Sequence, residues 1–114
     1  MLFTEKIKRN KEFVFLYKKG QTVIGRACVV YFKKNNTPYN KIGLSSSKKI
    51  GNAVKRNRAR RVIIAAYREC ESLFPIGYSM IIVARQASTS VKSDSIKKFL
   101  IDKVIPEMNK FDKK

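Results

Sequence analysis

The chain has 114 residues, a length that suits one domain, and 44% of them are hydrophobic, enough to build a buried core. Its formal charge of +18 combines 26 Lys and Arg with eight Asp and Glu, and the chain contains no His. All eight acids lie outside the segment from Phe13 to Arg68, which holds fourteen basic residues. A surface that only confers solubility mixes both signs, whereas a field of one sign attracts phosphate. The composition therefore predicts a nucleic-acid partner, with an anionic membrane surface as the alternative.

Several classes of protein are excluded by what the sequence lacks. No apolar run approaches the ~18 residues of a membrane span, and residues 1–13 lack the apolar core of a secretory signal. Cys28 and Cys70 are too few and too far apart for a zinc site, and each falls in an apolar segment. We interpret them as small core residues of a reduced protein rather than as a disulfide. The sequence predicts a cytoplasmic protein without a membrane partner.

The first predicted element is a helix over residues 10–19, which Gly20 ends. Its apolar side chains at i, i+3 and i+4 share one face: Phe13, Leu16 and Tyr17. Residues 22–34 follow as the best strand by content of β-branched and aromatic residues. Alternation predicts apolar side chains on both faces, with Cys28, Val30 and Phe32 on one and Ala27, Val29 and Tyr31 on the other. We expect the core to cover one face and a helix or a ligand to cover the other.

A turn over residues 34–40 leads to a shorter strand over residues 41–46, with Ile42 and Leu44 facing inward. The central helix starts near Gly51 or Asn52 and runs to about Ser72. Its core-facing stripe occupies about 100° of arc and consists of Ala59, Val62, Ile63, Ala66, Cys70 and Leu73.

The last third of the chain contains one strand and one helix. Residues 78–85 form a nearly continuous apolar run, which is typical of a buried strand. Ser93 caps a helix that runs to Val104 and that Pro106 stops. The inward-facing residues of this helix are Ile96, Phe99, Leu100 and Val104.

The order helix, strand, strand, helix, strand, helix predicts an α+β fold, a two-layer α/β sandwich with a small mixed sheet and helices packed on it. The central helix joins two strands in a βαβ crossover, for which a right-handed connection is the default. One RNA-binding domain is expected over residues 1–114, with flexible ends at residues 1–8 and 107–114.

Residues 48–61, KKIGNAVKRNRARR, hold seven Lys or Arg and no acid on an amphipathic helical stretch. Asn57, Arg61 and Arg68 fall opposite the apolar stripe, where guanidinium forks can bind phosphate oxygens in pairs. A solvated face would normally carry Glu for i,i+4 pairing, and none precedes Glu69. The candidate RNA-binding residues are Lys48, Lys49, Asn52, Lys55, Arg56, Asn57, Arg58, Arg60, Arg61 and Arg68.

Three aromatic residues, Phe13, Tyr17 and Tyr31, are candidates for stacking the bases of a single strand. They can do so if the first helix lies beside the strand face that carries Tyr31. Taken alone, the three rings are better explained as core residues, and the surrounding positive charge is what favours stacking.

An autonomous active site is hard to assemble from this sequence. Glu69 and Glu71 point about 200° apart on a helix, so they cannot hold two metal ions in the usual way. A Ser–Lys pair drawn from residues 45–49 is a weak alternative. We predict a binding protein with no catalytic residue and with no metal or cofactor held by the protein alone.

The stretch KIGLSSSKKIGNAVKRNRARR closely resembles the signature of the bacterial ribonuclease P protein family, whose hallmark Arg-Asn-Arg run stands at residues 56–58. The resemblance covers most of the chain. Phe13, Tyr17 and Gly20 match the first helix of the family, and the apolar strand ending in Tyr31, the GLS of the second strand and the IIVAR of the third also match.

The resemblance implies an α+β fold with an unusual left-handed βαβ crossover, against the default. It also implies two partners: a catalytic RNA subunit, which needs Mg²⁺, and the precursor tRNA whose 5′ leader that RNA removes. By position, Phe13, Tyr17 and Tyr31 would line a cleft for the single-stranded leader, with a rim of Ser45, Lys49 and Asn52. The helical face against RNA would consist of Arg56, Asn57, Arg58, Arg60 and Arg61.

Three positions depart from the family pattern. Ile64 stands where many relatives have a further basic residue, Ser46 replaces a commonly apolar residue, and Ser79 stands where an Asp is frequent. Two other functions stay open at this point: a structural RNA-binding protein of the ribosomal kind, and a self-sufficient nuclease, which the lack of an acid or His constellation disfavours.

Overall fold

A computed structural model describes residues 4–112. The strands in this range form one sheet in the order β1-β4-β5-β3-β2. The elements are β1 (Thr4–Lys6), α1 (Asn10–Lys19), β2 (Gln21–Ile24), β3 (Cys28–Lys34), β4 (Asn40–Ser45), α2 (Ala53–Cys70), β5 (Tyr78–Ala84), α3 (Ser93–Phe99) and α4 (Ile105–Asp112), with a π-helical segment (Leu100–Val104) between the last two.

The sheet is mixed. β4 runs parallel to β5, and α2 connects these two neighbours as the predicted βαβ unit, whereas β3 pairs antiparallel with β5 and with β2. The predicted α+β fold with a small mixed sheet and helices packed on it is confirmed. The left-handed crossover that the resemblance implies, against the right-handed default, stays a prediction.

Helices pack on both faces of the sheet. The main core joins one face of β3 and β5, through Val30, Met80 and Ile82, to the buried side chains of α2, α3 and α4. On the opposite face, α1 places Leu16 in a smaller cluster with Ile7 and Ile81. The predicted two-sided burial of the long strand is therefore correct, and a helix supplies the second cover.

The core-facing stripe of α2 is confirmed at Ala59, Ile63, Ala66 and Cys70, which are buried. The prediction that Leu73 faces inward is wrong, because α2 ends at Cys70 and the 3-10 turn that follows leaves Leu73 56% exposed. Both cysteines are free and buried, as predicted, and burial raises the pKa of Cys28 to about 12 and that of Cys70 to about 11.

The predicted single strand over residues 22–34 is a hairpin of β2 and β3. Ile24 pairs with Val29, and the Gly25 amide donates to the Cys28 carbonyl at 2.9 Å to close the turn. One glycine is the only turn signal in an otherwise β-prone run, so the break was not predicted.

The short strand β1 was not predicted, because three residues carry no detectable alternation. It pairs with β4 and is tied to the end of α2 through Thr4, whose hydroxyl lies 2.7 Å from the Tyr67 hydroxyl and donates to Glu71 Oε2 at 2.5 Å. Burial raises the pKa of Tyr67 to about 12. The predicted flexible end at residues 1–8 thus contains a strand, and residues 1–3 lie outside the described range.

The last helix does not stop at Pro106, contrary to the prediction. Helical residues continue without a break from α3 through the π-helical segment into α4, so Pro106 lies inside a continuous helix. Its missing amide hydrogen falls directly after the π-helical turn, where the regular i→i−4 hydrogen bonding is already interrupted. Met108 is buried and its carbonyl accepts from the Tyr78 hydroxyl at 3.2 Å. Most of the predicted flexible end at residues 107–114 is therefore helical, and residues 113–114 lie outside the described range.

Candidate nucleic-acid interface

The basic segment enters α2 through two capped turns. The Ser47 hydroxyl accepts from the Lys49 amide at 3.3 Å and starts a 3-10 turn, and the Asn52 side-chain oxygen accepts from the Lys55 amide at 3.0 Å and caps α2. Asn52, predicted to bind RNA, therefore already has one structural role. Because a side-chain oxygen forms each cap, Ser47 and Asn52 determine where the 3-10 turn and α2 begin.

The outer face of α2 carries the predicted basic residues in the predicted orientation. All ten candidates except Arg56 are exposed, while the opposite stripe is buried. Arg56 is half-buried, and its Nη1 donates to the Gly51 carbonyl at 3.0 Å, so part of its guanidinium fastens the preceding turn. Arg60 Nη2 donates to Asn57 Oδ1 at 2.8 Å, which orders two neighbouring side chains of the exposed face.

Ile64 interrupts the basic face of α2 between Arg61 and Arg68. It is half-buried against the core and lines a groove of about 370 Å³ between α2 and the β1–β4 edge of the sheet. The floor of this groove is apolar, and its rim carries Lys6, Arg60, Arg61 and Arg68. The departure at Ile64 thus places an apolar floor between Arg61 and Arg68. Lys6 was missed by the sequence reasoning because it lies on the unpredicted β1.

The aromatic candidates gather where α1 crosses the sheet. The ring of Phe13 lies against Gly43 so closely that a Cβ there would be 2.6 Å from Phe13 Cζ. The rings of Tyr17 and Tyr31 meet edge to face at 4.9 Å between centroids. Phe13 and Tyr31 pack beside the small cluster under α1, so for these two rings the core interpretation is partly right, whereas Tyr17 is 39% exposed.

Strand register places Ser45 on the same face as these rings. Ser45 pairs with Val83 and Val83 with Val29, in a row next to the row that contains Tyr31. All three are half-buried, so they form a partly open floor beside α1. We did not single out Val29 and Val83 as site residues, although the alternation of the strands was the available signal. Lys49 and Asn52 follow Ser45 in the connection to α2 and are exposed.

Acidic groups are sparse at both surfaces. Glu69 pairs with Lys97 at 3.5 Å and Glu12 with Lys41 at 3.4 Å, both in exposed or half-exposed positions. Within residues 4–112, no group of three or more His, Cys, Asp or Glu is placed to hold a metal ion. No helix in the same range is long and apolar enough to cross a membrane.

A helix with an exposed Arg-rich face, beside a sheet face with aromatic rings, is the kind of surface that RNA-binding proteins present to phosphates and bases. The model of the ribonuclease P family matches residues 1–105. The ribonuclease P protein components of Bacillus cereus and Oceanobacillus iheyensis are 41% and 38% identical to the chain, over 84% and 83% of its length and 84% and 79% of theirs.

Two solved structures have the same fold. The ribonuclease P protein of Staphylococcus aureus superposes with a TM-score of 0.76 at 33% identity, covering 92% of this chain and 94% of that one. That of Thermotoga maritima gives 0.79 at 21% identity, covering 90% and 96%. The chain belongs to the ribonuclease P protein family. It is thus a protein component of the tRNA-processing ribonucleoprotein and has a role in this endoribonuclease complex.

Proposed function

We propose that this protein binds the catalytic RNA of ribonuclease P through the outer face of α2 and binds the 5′ leader of precursor tRNA beside α1. The first contact uses the ten residues predicted to bind RNA, which are Lys48, Lys49 and Asn52 before α2, and Lys55, Arg56, Asn57, Arg58, Arg60, Arg61 and Arg68 on it. The second uses Tyr17 and Tyr31, with Phe13 over Gly43 of β4 and with Ser45, Lys49 and Asn52 toward α2. The two surfaces thus have two different partners, both RNA.

The division of α2 into a buried apolar stripe and an exposed basic face supports this proposal. A helix fixed in this way presents its guanidinium groups in one orientation, whereas a disordered basic tail would not. Contacts of Arg and Lys with phosphate position an RNA but carry little sequence information. We therefore expect weak selectivity among leader sequences.

We assign the hydrolytic chemistry to the RNA subunit and its Mg²⁺. No group of three or more His, Cys, Asp or Glu among the described residues is placed to hold a Mg²⁺ ion, so the RNA would hold the ion. The contribution of this chain is to hold the RNA and the leader in position. Two free, buried thiols fit a reducing compartment, and we place the protein in the cytoplasm.

Sequencing the RNA that co-purifies with the protein tests this proposal. Enrichment of the ribonuclease P RNA and of precursor tRNAs with intact leaders is the expected result. Co-sedimentation with ribosomal particles, without ribonuclease P RNA, would instead support a structural ribosomal role. Cleavage of precursor tRNA by protein preparations that contain no other RNA would instead support the hypothesis of a self-sufficient nuclease.

A further inference from the structure

α1 divides its face of the sheet into two halves. The row of residues beneath the helix consists of Tyr31, Ile81 and Gly43. The row on one side is Val29, Val83 and Ser45, of which Ser45 belongs to the proposed leader surface. The row on the other side is Lys33, Ser79 and Lys41. Residues 29 and 33 are four apart in β3, so the two outer rows are separated by roughly 13 Å along the strand.

The second half of this face forms a groove of about 600 Å³ between α1 and the turn that joins β3 to β4. Four lysines line it: Lys11, Lys33, Lys34 and Lys41. The acid that lines the groove, Glu12, is held by Lys41 at 3.4 Å, and Ser79 leaves the floor uncharged. Three exposed lysines therefore line the groove besides Lys41, and of the two on β3 it is Lys33 that shares the sheet face of α1.

An exposed aromatic ring stands in the wall of the same groove. Phe15 lies on α1 and is 51% exposed, so its ring is accessible from the groove. Lysines alone would be a solvated face. Lysines together with an accessible ring match the two needs of a single-stranded nucleic acid, which are neutralised phosphates and a surface on which a base can stack.

The opposite wall is held in shape by hydrogen bonds. Asn35 Nδ2 donates to Ser79 Oγ at 3.2 Å, and Asn35 Oδ1 accepts from the Thr37 amide at 2.9 Å and from its hydroxyl at 2.7 Å. The backbone amide of Asn35 also donates to the Gly77 carbonyl at 2.8 Å. These bonds tie the turn between β3 and β4 to β5, so the groove exists before any ligand arrives.

We infer that this groove, defined by Lys11, Phe15, Lys33, Lys34 and Lys41, is a second binding site for single-stranded RNA. Phe15 stacks a base, and the lysines of both walls contact the flanking phosphates. The site lies across α1 from the proposed leader surface and does not use the outer face of α2. It therefore gives the protein a further RNA contact that is independent of the two in the proposed function.

Nuclear magnetic resonance of the protein with a short oligouridylate tests the inference directly. The titration uses the full chain carrying Tyr17→Ala, which weakens the proposed leader surface. We expect the amide signals of Lys33, Asn35 and Ser79 to shift on one saturating curve. The charge-reversed variant Lys11→Glu/Lys33→Glu should lose these shifts, and its binding should depend less on salt, with a slope smaller by ~1.4 for two lost phosphate contacts.

Matched controls separate the site from general charge and from folding. Lys98→Glu/Lys103→Glu makes the same charge change at exposed positions of α3 and the π-helical segment, and it should keep the shifts. Phe15→Ala should weaken oligouridylate binding at the groove by roughly 5- to 150-fold, whereas Val14→Ala, at an exposed neighbour, should not.

The inference is overturned if the groove amides do not shift, if both charge-reversed variants behave alike, or if duplex RNA shifts the same amides as strongly. The experiment contains neither the catalytic RNA nor tRNA, so its failure would leave the proposed function untouched.

Discussion

The rings of Tyr17 and Tyr31 meet edge to face, with 4.9 Å between their centroids and 86° between their planes. One ring comes from α1 and the other from β3, so this contact joins the helix to the sheet at the border of the proposed leader surface. Tyr31 is half-buried and held by the sheet, whereas Tyr17 is 39% exposed. Tyr17 is therefore the ring with a free face for a base.

Tyr17→Ala should weaken the binding of precursor tRNA to the reconstituted enzyme by ~1–3 kcal/mol for one lost stacked base. Mature tRNA has no leader, so its affinity should hardly change. Equilibrium binding of both RNAs measures the difference, and Tyr17→Phe, which keeps the ring, serves as the control. An equal loss for both RNAs would make Tyr17 a structural residue only.

Replacing a guanidinium on the outer face of α2 should affect all RNAs alike. Arg58→Ala or Arg61→Ala removes a phosphate contact, so the slope of log affinity against log salt should become shallower by ~1, with little change in sequence preference. Filter binding across a salt series gives the slope. Lys98→Ala, on α3, is the matched control and should leave the slope unchanged, and a similar drop there would show that only net charge matters.

Gly43 should not accept a side chain while Phe13 keeps its place. A Cβ at this position would approach Phe13 Cζ to 2.6 Å and Cε1 to 2.8 Å, so Gly43→Ala forces the ring or α1 to move. We expect a loss of ~1–3 kcal/mol in the free energy of unfolding, the usual cost of overpacking. Urea unfolding measures it. Adding Phe13→Leu should recover part of the loss, and strictly additive losses would argue against this contact.

The two thiols should be nearly inert in the folded protein. Burial raises the pKa of Cys28 to about 12 and of Cys70 to about 11, and the thiolate is the reactive form. At pH 8 the thiolate fraction of Cys70 is lower than that of an ordinary thiol by about 100-fold, before access is considered. Labelling with a disulfide reagent in buffer and in denaturant checks this. Rapid labelling of either cysteine in buffer would contradict the burial described above.

The sequence predicted best where a pattern repeated over several turns or residues. The buried stripe and basic face of α2 extend over five helical turns, and the alternation around Val30 continues for the length of β3, so both were predictable. The aromatic surface was predicted only on the condition that α1 lies beside the strand face that carries Tyr31. The position of α1 on the sheet depends on tertiary packing of Leu16 against Ile7 and Ile81.

The missed features depend on single residues or on distant partners. β1 is three residues long and forms only because β4 offers it an edge and Thr4 reaches Tyr67. The predicted helix end at Pro106 is wrong because local propensity carries no signal for the π-helical segment before it. Lys6 and Phe15 escaped notice for the same reason, since the grooves that they line are made by elements far apart in sequence.

Reconstitution with the catalytic RNA of ribonuclease P at limiting Mg²⁺ tests whether the protein acts by supporting that RNA. We expect that neither the protein alone nor the RNA alone cleaves precursor tRNA efficiently under these conditions, and that mixing them restores cleavage at the 5′ end of the mature tRNA. An RNA-free preparation that cleaves, or a mixture no faster than the RNA alone, would contradict it.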